Sequence, residues 1–193
     1  MNFRNILFVF FCMLAASFGY AQTSPNNLHL IDRDSNTGFE IYRYSKPTTE
    51  DMKMLCKLGI NEVMVLSGTA DAHEYKDRQV CPSLKVIYNT RQIPQIPLNS
   101  EFLNYFDKWI KEAKAKGKKI AFRCECGCHR TGRLAAYYQM KYQAIPKFDA
   151  ILTMLNLGKQ MYLHPELIPQ VSDLFNYIHN LPCKQSIFFC VRR

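Results

Sequence analysis

The apolar and polar positions of the chain alternate between short strand-like runs and longer helix-like runs. Short, mainly apolar stretches that favour buried strands occur at residues 39–44, 62–67, 84–88 and 119–123. Apolar residues at helical spacing occur over residues 47–59, 100–117, 131–143, 148–157 and 165–181. Because strands alternate with helices along the chain, the pattern predicts one α/β domain with a central, mostly parallel sheet flanked by helices.

Capping and terminating residues support these helix boundaries. Thr48 offers a capping hydroxyl, and Glu50 places an acid in the first turn of the first helix. Gly59 and Gly117 follow the first two helices, where glycine readily adopts the left-handed conformation that ends a helix. The apolar tail, residues 187–191, is too short to span a bilayer, and we expect it to dock on the core as a strand.

The first 21 residues have the layout of a secretory signal peptide. Arg4 supplies a positive charge, residues 6–16 are almost wholly apolar, and the small residues Gly19 and Ala21 precede the expected cleavage point. The apolar run is shorter than the roughly 20 residues that span a bilayer. The sequence therefore predicts an exported protein, periplasmic or secreted, with residues 22–193 as a single mature domain and no stable membrane anchor.

The charge of the chain limits the classes of partner. Lys and Arg number 25 against 16 Asp and Glu, which gives a formal net charge of +9. Such a surplus suits nucleic acid, an anionic membrane surface or a phosphorylated small molecule. The sequence contains no helix-turn-helix, zinc-finger or aromatic-interleaved basic pattern, so nucleic acid is not predicted as a partner.

The number of cysteines predicts a free thiol. There are eight, and the expected cleavage removes Cys12, so an odd number remains. In an exported protein an odd number indicates at least one free or reactive thiol. Apart from Cys124, six cysteines can form up to three disulfides whose pairing stays open, namely Cys56, Cys81, Cys126, Cys128, Cys183 and Cys190. A link between the last two, or from either to the body of the domain, would fix the tail.

The segment Phe122-Arg-Cys-Glu-Cys-Gly-Cys-His-Arg-Thr-Gly-Arg133 combines the features of an anion site with a nucleophile. It leaves a predicted strand, turns at Gly127 and enters a predicted helix, so backbone N–H groups and the positive end of the helix dipole converge on the turn. Arg130 can hold two phosphate oxygens in one plane. Cys124 lies at the base of this positive field, which is expected to lower its pKa from about 8.5 into the range of roughly 3.5–7.5. A thiolate beneath a bound phosphate is a nucleophile directed at phosphorus.

The spacing Cys124-x-x-Gly127-x-x-Arg130-Thr131-Gly132 resembles the signature loop of the protein tyrosine phosphatase and dual-specificity phosphatase superfamily. Arg43-Tyr-Ser-Lys-Pro47 and Ile96-Pro97 resemble further segments of bacterial dual-specificity-like members, so that the resemblance covers about residues 39–180. It implies a dual-specificity-phosphatase-like fold and a phosphomonoesterase that works without cofactor or metal. By the same resemblance Cys124 is the nucleophile, Arg130 binds the phosphoryl oxygens, and Thr131 assists departure of the thiolate.

Two departures from the superfamily pattern concern the chemistry. Arg123 stands where the superfamily usually has His before the nucleophile, and the segment of residues 89–97, which should carry an acidic proton donor, contains no acid. Candidate donors elsewhere are Asp71, Glu74, Asp77, Glu101 and His129. We favour the polar loop that begins at Asp71 and take Asp71 as the predicted general acid.

The combination Cys124-Glu125-x-Gly127 resembles the loop of bacterial protein-tyrosine-phosphatase-like phytases, which are exported and hydrolyse inositol polyphosphates. This resemblance predicts inositol polyphosphate as the substrate. The residues expected to bind it are Lys46, Arg123, Glu125, Cys126, Gly127, Cys128 and His129.

Other functions also fit parts of the sequence. The same basic surplus suits a phosphotyrosine or dual-specificity phosphatase acting on phosphopeptides, and the missing acid suits an inactive module that only binds phosphate esters. A thiol redox protein using the cysteines from Cys124 to Cys128 is a third possibility. A metal cluster of these cysteines with His129 is disfavoured, because their spacing is tighter than that of ordinary zinc ligands and no second ligand pair follows.

Overall fold

A computed structural model describes residues 27–193, and the predicted signal peptide lies outside the described residues. Five strands form one sheet in the order β1-β2-β5-β3-β4. The strands are β1 (His29–Asp34), β2 (Phe39–Tyr44), β3 (Glu62–Val65), β4 (Lys85–Asn89) and β5 (Lys119–Arg123). All neighbouring pairs are parallel except β1 with β2, which is an antiparallel hairpin. The predicted α/β class and mostly parallel sheet are confirmed.

The described residues form five α-helices, which cover both faces of the sheet. They are α1 (Thr49–Lys57), α2 (Ser100–Ala115), α3 (His129–Tyr142), α4 (Lys147–Asn156) and α5 (Leu167–Ile178). Along β5, the side chain of Ala121 packs in a small core with α1. Ile120 and Phe122 pack in a larger core with helices α2 to α5. Successive side chains of a strand face opposite sides of the sheet, so a strand buried on both faces is apolar throughout.

Polar side chains cap the first two helices, at Thr48 as the sequence predicts and at Asn99, for which no cap was predicted. The hydroxyl of Thr48 accepts a hydrogen bond from the backbone N–H of Asp51, while the Asp51 carboxylate accepts one from the N–H of Thr48. This reciprocal arrangement satisfies two backbone donors at the start of α1. Asn99 caps α2 by accepting from the N–H of Phe102. No helix in the described part of the chain is long and apolar enough to cross a membrane.

Two parts of the fold differ from the prediction. The edge strand β1 was not predicted, because its half-exposed residues lack a clear alternation of buried and exposed positions. The tail does not form a strand: Ile187–Phe189 is a short 3-10 helix, and only an isolated bridge joins Arg192 to Asn99. Buried Asp173 on α5 accepts a hydrogen bond from the N–H of Val191, which holds the tail against the helix instead of the sheet.

Two disulfides are formed, Cys56–Cys81 and Cys183–Cys190. The second joins the two cysteines that bracket the tail. Cys124, Cys126 and Cys128 are free thiols, so three cysteines of the predicted signature loop stay reduced together.

Candidate active site

The predicted signature loop lies between the end of β5 and the start of α3. Cys124 follows the last residue of β5, and α3 begins at His129. Gly127 lies between them at φ +66°, a left-handed conformation that favours glycine. A Cβ atom at this position would lie 2.7 Å from the carbonyl oxygen of Tyr44, so the loop packs against the end of β2 in a way that only glycine permits.

The carbonyl groups of the loop point outward to donors on neighbouring segments. Glu125 O accepts from the N–H of Lys46 at 2.9 Å, and Cys126 O accepts from the side-chain amide of Asn27 at 3.0 Å. Gly127 O accepts from Nη2 of Arg43 at 2.5 Å. In a planar trans peptide unit the C=O and the following N–H point in opposite directions, so the N–H groups of residues 126–128 face the interior of the loop. There the N–H of Cys128 donates to Cys126 Sγ at 3.1 Å. The loop therefore forms the anion cradle that its sequence predicts.

Arg43 supports this cradle from behind. Its side chain is 1% exposed, and besides Gly127 O it contacts Cys128 O at 3.4 Å. The Nε and Nη1 atoms are buried without a hydrogen-bond acceptor among residues 27–193. Burial lowers the pKa of Arg43, while the nearby thiols of Cys124, Cys128 and Cys126 oppose that shift. Arg43 thus places a positive charge beneath the three thiols and fixes the backbone that holds them.

Cys124 is fully buried at the base of the loop, and its protonation differs from the expectation. A hydrogen bond with Cys126 and burial raise the pKa of Cys124 to about 12, although contact with Thr131 acts in the opposite direction. The pKa of Cys128 is lowered to about 7, and its hydrogen bond with Cys126 is the largest cause. The prediction of a lowered pKa at Cys124 is therefore wrong for this arrangement of the loop, in which Cys124 is a neutral thiol.

Arg130 and Thr131 lie on the first turn of α3. Nη1 of Arg130 donates to the backbone carbonyls of Leu66 and Gln92, at 3.4 and 3.2 Å, and so joins the loop to the ends of β3 and β4. Its Nε is buried with no acceptor within the described residues. Thr131 is fully buried beside Cys124. Both side chains are at the loop, as the sequence predicts.

Arg123 does not face the cradle. Its side chain is fully buried and makes a two-pronged ion pair with the buried carboxylate of Glu74, including a 2.7 Å contact from Nε to Oε1. Ser67 and Thr69 accept from its Nη1. Because Arg123 has no access to solvent, we correct its predicted role from substrate binding to support of the loop. Glu74 is occupied by the same pair and is removed from the candidate proton donors.

An open cavity of about 550 Å³ borders the loop. The predicted binding residues Lys46, Glu125 and Cys126 line it, together with Asn27, which the sequence analysis did not consider. Further basic side chains in its wall are His73, Lys76 and Lys159. The cavity therefore presents at least three lysines beside the cradle.

The candidate acids differ in their relation to this cavity. Asp77 lines it and accepts a hydrogen bond from the hydroxyl of Thr49 at 3.0 Å. Asp71, our predicted general acid, is exposed on the same polar loop but does not line the cavity, and Glu101 is exposed at the start of α2. The structure thus favours the predicted loop but a different acid within it.

His129 packs away from the cradle centre. Its Nε2 lies 2.7 Å from the backbone carbonyl of Lys159, and its ring lies 3.9 Å from that of His164. Since a carbonyl only accepts, Nε2 carries the proton, and Nδ1 faces Cys126 Sγ at 3.8 Å. Burial lowers the pKa of His129, so its ring is neutral at pH 7. It holds Lys159 near the rim of the cavity, a contact between distant segments that no local sequence pattern indicates.

Solved structures of several known proteins share the fold of this chain. No family model matches the chain. TpbA of P. aeruginosa has a TM-score of 0.55 at 19% sequence identity, covering 78% of this chain and 96% of that one. The core catalytic domain of SIW14, a PP-IP phosphatase of S. cerevisiae, has a TM-score of 0.61 at 15% identity, covering 80% and 88%. PTPMT1 in complex with PI(5)P has a TM-score of 0.55 at 14% identity, covering 79% and 97%. The chain therefore has the fold of protein tyrosine and dual-specificity phosphatases.

Proposed function

We propose that the protein is a cysteine-dependent phosphatase that hydrolyses phosphate monoesters through a phosphocysteine at Cys124. The observation that carries the proposal is the cradle itself. The loop N–H groups face inward because the outward carbonyls are held by Lys46, Asn27 and Arg43, and Cys124 lies at the base. Donors fixed in this way stabilise charge on a transferring phosphoryl group without reorganising.

The proposed reaction has two steps. The sulfur of Cys124 attacks phosphorus and forms an S–P bond, the P–O bond to the leaving group breaks, and a nearby acid protonates the leaving oxygen. We assign that acid to Asp77, because it lines the cavity beside the loop. Water then gives a proton to the Asp77 carboxylate and attacks phosphorus, the S–P bond breaks, and inorganic phosphate leaves while the Thr131 hydroxyl stabilises the departing thiolate.

The neutral Cys124 thiol must lose its proton before attack, and an oxygen of the entering phosphate dianion or solvent water takes up that proton. The contact with Cys126 is the largest cause of its raised pKa. We infer that a phosphate entering the cradle displaces the Cys126 side chain, after which Arg43 beneath the loop favours the thiolate. The half-buried position of Cys126 in the wall of the cavity makes it accessible to the substrate.

For the substrate we propose an inositol polyphosphate. The cavity wall carries Lys46, Lys76 and Lys159, a number of cations that suits a ring with several phosphates better than a single phosphate group. Among proteins of this fold, SIW14 is described as a PP-IP phosphatase and PTPMT1 was crystallised with PI(5)P. TpbA, in contrast, was crystallised with phosphotyrosine, so a phosphopeptide is the competing substrate.

Export to an oxidising compartment remains part of the proposal. The signal-peptide pattern of residues 1–21 motivates it. The disulfides Cys56–Cys81 and Cys183–Cys190 support it, because such bonds persist mainly outside the cytosol.

A panel of substrates tests the proposal. We expect the purified protein to release phosphate from inositol hexakisphosphate faster than from a phosphotyrosine peptide. Cys124→Ser should lose roughly 10⁴-fold or more in turnover while it still binds phosphate. Cys128→Ser is the matched control, because Cys128 has the lower thiol pKa and is the alternative nucleophile. Faster hydrolysis of the peptide would overturn the substrate, and an active Cys124→Ser variant would overturn the mechanism.

A non-catalytic phosphate-ester-binding module is the second candidate. Two observations favour it: residues 89–97 contain no acid, and the pKa of Cys124 is raised. This candidate predicts that phosphate esters bind but that no phosphate is released at any pH.

A further inference from the structure

A second, smaller cavity lies beside the segment that follows β4. It has a volume of about 200 Å³ and is bounded by that segment and by the start of α2. Tyr88, Ile93 and Phe102 give it apolar walls, whereas Arg91 and Arg133 bring positive charge. Among residues 27–193, none that lines it is acidic. The cavity is therefore small, partly apolar and positive.

Arg133 is a buried cation without an ion-pair partner in the described residues. Its side chain is 1% exposed, and only Nη1 is bonded, to the carbonyls of Pro94 and Ile96 and to the side-chain oxygen of Gln170. Nε and Nη2 are buried and have no acceptor among residues 27–193. A buried guanidinium with unused donors is costly unless an anion or water satisfies it.

Neighbouring groups also affect the buried charge of Arg133. Burial and then the charge of Arg130 lower the pKa of Arg133 to about 9, although the carboxylate of Glu166 and the thiol of Cys124 oppose the shift. Asn99, the N-cap of α2, also lines the cavity, so the first turn of this 16-residue helix borders it. The backbone of Arg91 is fixed against Gly68, where an added Cβ would lie 2.8 Å from Arg91 N. The two arginines are therefore held at the same cavity by separate parts of the fold.

Helix α3 and the segment after β4 connect the second cavity to the cradle. Arg130 and Arg133 are neighbours on one face of α3, three positions apart. Arg130 donates to the carbonyl of Gln92 and Arg133 to those of Pro94 and Ile96, so both arginines hold the same segment. A charge bound beside Arg133 therefore lies one helical turn from the catalytic loop.

We propose that this cavity is a second phosphate site, in which Arg91 and Arg133 bind a phosphate group that is not being hydrolysed. Arg133 supplies the two unused buried donors, and exposed Arg91 closes the site from the solvent side. The bound group is either another phosphate of the substrate or free inorganic phosphate. The second site itself does not rest on the proposed function, because phosphate can bind without turnover. Only the choice between the two sources rests on that function.

Calorimetric titration with inorganic phosphate in a Cys124→Ser background tests for the site. We expect two phosphates per chain. Arg91→Gln should weaken the second by roughly ten-fold or more, since a hydrogen bond to a charged group contributes about 1.5–3 kcal/mol. Arg78→Gln, an exposed arginine that lines neither cavity, is the matched control and should change neither affinity. One phosphate per chain, or equal effects of the two substitutions, would overturn the second site even in an active phosphatase.

Steady-state kinetics with intact Cys124 distinguishes the sources. If the second group belongs to the substrate, Arg91→Gln raises KM for inositol hexakisphosphate and leaves KM for para-nitrophenyl phosphate unchanged. If the second group is free phosphate, Arg91→Gln leaves both KM values unchanged. The substitution then removes only the effect of added inorganic phosphate on the rate. An equal rise of both KM values would contradict the proposal, because it would place Arg91 in the cradle. A chain that binds two phosphates but hydrolyses neither ester would refute the proposed function and leave the second site standing.

Discussion

The thiols of Cys124 and Cys128 differ in pKa because one shared neighbour, Cys126, shifts their pKa values in opposite directions. Cys124 is buried and hydrogen-bonded to Cys126, which raises its pKa to about 12, whereas contact with Cys126 lowers that of Cys128 to about 7. The order of residues in the sequence predicts a nucleophile at Cys124 but not this pairing, since it depends on how the side chains pack inside the loop. Cys126 is therefore the residue that sets the resting state of the nucleophile.

Replacement of Cys126 by alanine should lower the pKa of Cys124. The substitution removes the largest cause of the raised value, so the thiolate forms at lower pH and is more abundant near neutrality. The thiolate ultraviolet absorbance of Cys126→Ala, followed against pH, measures this. Subtracting the same curve for the Cys124→Ser, Cys126→Ala double variant removes the contribution of Cys128. A Cys124 midpoint that stays the same or moves upward would contradict this explanation.

The ion pair of Arg123 with Glu74 shows the limit of reading single residues from sequence. Both lie in segments that we expected near the site, and Arg123 precedes the nucleophile directly. The two are 49 positions apart, however, and their contact is made only when the polar loop after β3 folds over the end of β5. A charged residue next to a catalytic position can therefore be structural, and only burial distinguishes the two roles.

Among the elements, the strand–loop–helix unit was predictable, because it combines short-range signals. The apolar run of β5, the glycine of the turn and the Arg-Thr-Gly start of α3 are all local features. Helices α1 and α2 were predicted for the same reason, from their caps and apolar spacing. The half-exposed strand β1 and the tail were not, since the hairpin with β2 and the contact of Val191 with Asp173 join distant parts of the chain.

Substitution of Gly127 by alanine should disrupt the cradle. The left-handed conformation alone costs about 1–3 kcal/mol for a residue with a side chain, and the new Cβ would also clash with Tyr44 at 2.7 Å. We expect loss of phosphate binding together with a lower free energy of unfolding. Gly38→Ala is the matched control: Gly38 is also left-handed, but its nearest atom outside the adjoining residues would lie 3.8 Å away, in the turn before β2. Denaturant titration and phosphate binding of both variants measure the difference, and equal phosphate affinity in the two would contradict the assignment of the loop.

Across the whole chain, the two disulfides stabilise regions outside the cradle. Cys56–Cys81 closes a loop with a sequence separation of 25, and Cys183–Cys190 one of 7. In the chain-entropy description the longer loop contributes roughly 3–4 kcal/mol to stability and the shorter about 2.5 kcal/mol. Neither bond lies in the signature loop, whose three cysteines are free thiols.

Removal of the Cys56–Cys81 bond should therefore lower stability more than removal of the other. We expect the Cys56→Ala, Cys81→Ala variant to lose roughly 3 kcal/mol of unfolding free energy and the Cys183→Ala, Cys190→Ala variant about 2 kcal/mol. Urea unfolding of both variants at one pH measures this, with phosphate binding as the check that the cradle is intact. A larger loss of unfolding free energy in the Cys183→Ala, Cys190→Ala variant would contradict this expectation. It would show that the tail stabilises the domain by more than the loop length of its disulfide implies.

The cavity beside the cradle is a property of the whole fold. Its walls come from the segment after β2, the polar loop after β3, the signature loop and Lys159 beyond α4. The sequence supplied the basic residues but not their convergence. In the function we propose, substrate choice depends on that convergence, whereas the bond to phosphorus forms at Cys124 in the signature loop.

Detection of the covalent intermediate tests the central claim most directly. The protein is mixed with inositol hexakisphosphate, quenched with denaturant within the first turnovers, digested and analysed by mass spectrometry. We predict one phosphoryl group on the peptide that contains Cys124, present in the Cys128→Ser variant and absent from Cys124→Ser. Phosphate release without any phosphorylated peptide, or a phosphoryl group on another residue, would contradict the account.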